Sequence, residues 1–114
     1  MSSHLTEMNQ VCLSGKVSRV SPLRYAPAGT PISEFIVAVQ QSHLEVTNMG
    51  YFEVVLTGDM AEKWSRELKI GMWVDVKGEL WSRAFLNRQG TKINETKVLA
   101  KEIGGTLGRE NKKI

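Results

Sequence analysis

Cysteine is almost absent from this chain. Cys12 stands alone, so no intrachain disulfide can form, and a reducing compartment, the cytoplasm, is expected. Histidine is nearly as scarce: His4 falls in a polar leader and His43 in a polar connection, and two histidines with one cysteine at these spacings make no zinc site. No glycine loop of the phosphate-cradling type occurs, and Gly104-Gly105 follows a strand pattern but precedes no helical one. The acids include no pair marked out for acid–base work. Catalysis, a metal and a cofactor are therefore not expected. Long apolar runs are missing too. No segment reaches the roughly 18 apolar residues of a membrane span, and residues 1–10 carry no apolar run of a signal peptide.

Negative charge is short in one region only. From Lys77 onward nine lysines and arginines face four acids, while the whole chain carries a net +3, so the preceding two thirds are slightly acidic. A basic region permits nucleic-acid binding without proving it.

Strand-type alternation dominates what is present. Val11, Leu13, Gly15 and Val17 alternate with polar neighbours, the period of a half-buried strand, and Gly15 suggests a bulge or bend. Residues 21–31 hold three prolines and Gly29, hence a loop. Residues 32–41 and 51–56 are rich in β-formers and predict two more strands, joined by a polar connection over 42–50. Residues 59–69 predict the single helix: Asp59 caps it, Glu62 completes a capping box, Ala61, Trp64 and Leu68 form its apolar side, and Gly71 stops it. A strand over 73–83 follows, with Val74, Val76, Gly78 and Leu80 inward and Trp73, Asp75, Lys77, Glu79 and Trp81 outward. Residues 84–91 predict a mobile hairpin tip, and 92–103 a last strand of weak alternation. The expected organisation is a flexible leader over 1–8, a five-stranded all-β OB-fold barrel with one short helix over 9–104, and a short basic tail over 105–114.

Several runs carry a family resemblance. They are NQVCLSGKV (9–17), LRYAPAGTP (23–31), YFEVVLTGDMAE (51–62), KGELWSR (77–83) and GGT (104–106). Together they resemble bacterial single-stranded DNA-binding proteins and, equally, their relative primosomal replication protein N. The resemblance covers about residues 9–108. It implies an OB barrel that binds single-stranded DNA in replication, replication restart or repair, as a homodimer or homotetramer. The primosomal alternative implies an adaptor between a replication-restart helicase and its loader.

Unpaired DNA offers flat bases and charged phosphates, so a general binder needs rings and cations on an open groove. The resemblance places stacking rings at His43, Tyr51 and Phe85, and strand-contacting cations at Arg24 and Arg83. It implies a subunit interface at Trp73. Thr57 and Asp59 replace what is often a ring and a lysine in the family. From the residues themselves, Tyr25 and Trp81 are further ring candidates, and Lys16, Arg88 and Lys92 further cations; Lys97 and Lys101 read as background charge. Trp64 reads as core. The basic end, 110–114, lacks the family's acidic tip, so tail-dependent partners are not expected.

Overall fold

The structure, a computed structural model, describes residues 6–106. Six strands and one helix follow in the order β1 (Val11–Val20), β2 (Arg24–Tyr25), β3 (Pro31–His43), β4 (Val46–Thr57), α1 (Asp59–Glu67), β5 (Trp73–Leu86) and β6 (Lys92–Thr106). The sheet runs β1-β5-β6-β4-β3-β2, and a further β1–β3 pairing joins its ends. Leaving aside the two-residue β2, five strands close into a barrel, the OB-fold. All pairings are antiparallel except β4 with β6, which meet only at Val54↔Val98 and Val55↔Leu99.

The alternation read from the sequence sets the barrel wall. Val17, Phe35, Val37, Val54, Leu56, Val74, Val76 and Val98 point inward and are almost completely buried. Gly15 serves close approach, not a bulge: a Cβ there would run into the Ala38 carbonyl as β1 passes from β5 to β3. The bulge falls three residues on, between Val17 and Arg19, where the register with β3 shifts. A second shift, at Lys77/Gly78, leaves Lys101 of β6 without an opposite residue.

The helix closes the barrel over β3 and β4 with Ala61, Trp64 and Leu68 buried, as the apolar spacing predicts. Its start corrects the expected capping box. Gly58 is the cap residue, no side chain caps the first turn, and Asp59 is already helical. Gly58 adopts φ 69°, open to glycine at little cost, so the chain turns one residue early and its N–H donates to the Pro31 carbonyl at 3.0 Å. Asp59 and Glu62 instead place negative charge in the first turn, where the helix dipole favours it.

The last strand also exceeds its expected length. Gly104, Gly105 and Thr106 pair with Asp75, Val74 and Trp73, so the ladder continues past the predicted end at 103. Gly105 lies against Trp64 and Met72, where a side chain would clash. The rest of the basic tail, 107–114, and leader residues 1–5 lie outside the described residues. No helix among the described residues is long and apolar enough to cross a membrane.

Candidate nucleic-acid interface

Two strand pairs run on beyond the barrel as hairpin arms. The β3–β4 ladder continues through Gln40↔Met49 to His43↔Val46, closed by Leu44 and Glu45 at φ 50° and 68°. Positive φ at both central residues gives a two-residue turn whose twist matches that of paired strands. The expected polar connection over 42–50 is therefore mostly strand. The β5–β6 ladder likewise runs to Leu86↔Lys92. Its turn is tied internally: Asn87 Oδ1 accepts the N–H groups of Gln89 and Thr91, both at 2.9 Å, and the Asn87 N–H donates to the Thr91 carbonyl at 3.0 Å. The predicted eight-residue tip is thus a short bonded turn. Both departures have one cause. Most arm residues are exposed on both faces, and the half-buried Ile93, Glu95 and Lys97 of β6 are not an apolar series, so backbone pairing holds the arms while no apolar period marks them.

The register sorts side chains between the barrel's two surfaces. Leu80 opposes buried Val98, so its face continues the core side; Trp81↔Lys97, Arg83↔Glu95 and Phe85↔Ile93 share the outer face. The short parallel pairing sets β4 beside β6, with Tyr51 and Glu53 outward. Past that pairing the arms separate, leaving an open cleft of about 450 Å³ lined in part by Tyr51, Phe52, Leu80 and Lys97. Tyr51 at the cleft is 64% exposed, and along the outer face of β5 Trp81 is 50% and Phe85 37% exposed.

Charge on this surface is organised as a chain. Arg24 Nη2 meets Glu34 Oε2 at 2.8 Å, and Lys97 Nζ lies 3.2 Å from Glu34 Oε1, 3.7 Å from Glu95 and 3.9 Å from Glu53. Arg83 Nε donates to Glu95 Oε1 at 2.9 Å, while its guanidinium carbon sits 4.8 Å from the Phe85 ring centroid. The Arg83 hydrogen bond holds the Glu95 carboxyl below its ordinary value of 4.5; partial desolvation opposes this, and the nearby Lys97 and Arg83 charges add to it. Arg19, exposed on β1 opposite Ile36, lines the neighbouring cleft with Glu34 and Glu53.

The register brings Arg24, Tyr51, Trp81, Arg83 and Phe85 to the outward pleat. Lys16 is also outward, opposite Ala38 on β3 and Trp73 on β5, and Trp73 is half-buried. Tyr25 opposes Pro31, on the other pleat face from Arg24. His43 ends β3 with the parity of Phe35 and Val37, opposite to that of Tyr51. Arg88 and Lys92 stand exposed at the tip of the β5–β6 arm. Sequence reasoning missed the organising residues: Lys97, read as background, is the hub, and Glu34, Glu53, Glu95 and Arg19 were not singled out. Placing the turn at Asn87 is the signal that would have found Glu95 and Lys97, since it sets them opposite Arg83 and Trp81.

A closed five-stranded barrel with helix α1 between β4 and β5 defines an OB-fold module, an architecture that binds oligonucleotides or oligosaccharides on its second and third barrel strands, here β3 and β4, and on the loops after its first and fourth. The sequence comparison narrows the class. The chain belongs to the single-strand binding protein family, whose profile matches residues 8–105. It is 30% identical to the single-stranded DNA-binding protein of Treponema pallidum, over 94% of this chain and 66% of that protein. It is 28% identical to that of Streptococcus pneumoniae, over 84% of this chain and 64% of the relative. It is 30% identical to that of Deinococcus radiodurans, over 84% of this chain and 33% of the relative. The chain thus spans two thirds or less of the length of these relatives. None of the three is named as primosomal replication protein N, so they lend the adaptor reading no support.

Proposed function

We propose that the chain binds single-stranded DNA without catalysing a reaction on it, using the outer surface of β4, β6 and β5 between the two arms. The observation that carries this is three exposed rings, Tyr51, Trp81 and Phe85, beside Arg24, Arg83 and Lys97 on one open surface. Each stacked base contributes about 1–3 kcal/mol with little sequence preference. A duplex hides those base faces, so the arrangement favours unpaired strands.

The family membership and the names of the relatives support binding of single-stranded DNA; the role we propose for it is in replication, replication restart or repair, in the cytoplasm. One barrel with a few rings covers a short stretch, roughly 4–16 nucleotides. Linking barrels raises avidity without new contacts, so we place the chain in a homodimer or homotetramer with Trp73 at the subunit contact. Light scattering at micromolar concentration tests the assembly, and a monomer would refute it.

Fluorescence titration tests the binding. Trp64 is buried and Trp73 half-buried, so exposed Trp81 is the reporter. A dT oligomer should quench it strongly, a duplex of equal length far less, and rising salt should weaken binding with a log–log slope of about −0.7 per neutralised phosphate. Equal affinity for duplex and single strand would contradict the proposal.

A further inference from the structure

Three cations of this surface are already engaged. Arg24, Lys97 and Arg83 are each within 4 Å of a carboxylate, and Glu34, Glu53 and Glu95 match them one for one. This network carries no net charge of its own, although its cations are the ones a phosphate would need. Arg83 is held twice, by Glu95 on one side and over the Phe85 ring on the other, so one face of that ring is covered.

We propose that Glu34 and Glu95 form an electrostatic gate: they compete with DNA phosphates for Arg24, Lys97 and Arg83, so strand entry requires the carboxylates to be displaced. The inference rests on the single-stranded DNA reading above and adds residues that set its affinity. Energetics allow displacement. The side chains of Arg24 and Arg83 are more than half exposed, so water screens their pairs with Glu34 and Glu95 and leaves them weak, while Lys97, 18% exposed, is held more firmly. A phosphate that takes Arg83 from Glu95 also frees the covered face of Phe85 for a base. Arg19 pairs with no carboxylate within 4 Å among the described residues and needs no exchange, so it offers a first contact for phosphate. The consequence is a binder whose affinity and salt dependence fall below what its cation count implies, and which releases its strand readily.

The experiment compares dT-oligomer affinity at several salt concentrations for wild type, Glu34→Gln, Glu95→Gln and a control, Glu67→Gln, each with its melting temperature. Glu67 is exposed on α1 and makes the same change in net charge outside the network. The gate predicts that each network variant binds about 2- to 5-fold tighter than the control, with a slope steeper by up to about 0.7. If wild type binds and both variants bind no tighter than Glu67→Gln, the gate is refuted while single-stranded DNA binding stands. If neither wild type nor any variant binds, the DNA reading falls and takes the gate with it. Binding by the variants alone would support the gate. Either variant decides the matter if the other fails to fold.

Discussion

The two halves of β5 behave differently although they form one strand. Residues 73–79 alternate between buried and outward positions, whereas 80–86 are exposed on both sides. The first half lies in the closed barrel, where Val74 and Val76 meet the core; the second belongs to an arm paired with β6 and tied at its base by Asn9, whose side chain donates to the Leu80 carbonyl and accepts the Leu80 N–H, both at 2.8 Å. β3 and β4 divide in the same way. The barrel half spends its side chains on folding, and the arm half is left to present rings and charges. Substitutions in the two halves should therefore separate stability from binding.

The largest effect is expected in the barrel. Phe35 is the largest fully buried side chain, so Phe35→Ala should cost about 3–5 kcal/mol in chemical denaturation and reduce DNA binding only through unfolding. At the arm-side rings the pattern should invert. Tyr51→Ala or Phe85→Ala should weaken dT binding by roughly 5- to 150-fold, the loss of one stacked base, with little change in melting temperature. A ring variant that binds weakly only because it has unfolded would break the distinction.

How far the sequence discloses this molecule follows the same division. Alternation at Val11, Leu13 and Val17 and at Val74 and Val76, and the spacing of Ala61, Trp64 and Leu68, are legible because a buried face imposes its period. The arms are not, because nothing apolar marks which way a doubly exposed residue points; hence 42–50 and 84–91 read as loops. Asp59 reads as a cap until the conformation of Gly58 is known. The charge network is least legible. Glu34 and Lys97 lie 63 positions apart, and only barrel closure between β4 and β6 brings their strands close. The family resemblance singles out Tyr51, Arg83 and Phe85, which the register sets on the outer face, but not the carboxylates that hold the cations.

Smaller effects sharpen the comparison within the arms. Asn87→Ala removes the acceptor for two turn N–H groups, so amide exchange at Gln89 and Thr91 should accelerate while barrel amides keep their protection. The smallest effect concerns acid. Because Glu95 titrates below its ordinary value in the folded chain, its pairs with Arg83 and Lys97 contribute stability above the unfolded-state pKa and lose it as the pH falls through the lowered value. Wild type should therefore melt slightly above Glu95→Gln at neutral pH, and the two should converge in acid.

Ultraviolet crosslinking of a dT oligomer to the intact chain, with the attached peptides mapped by mass spectrometry, tests most directly where the strand lies. The outer-surface assignment predicts adducts at Tyr51, Trp81 and Phe85, suppressed by high salt and by excess unlabelled single strand. Adducts concentrated on helix α1, with these three rings unmodified, would contradict it.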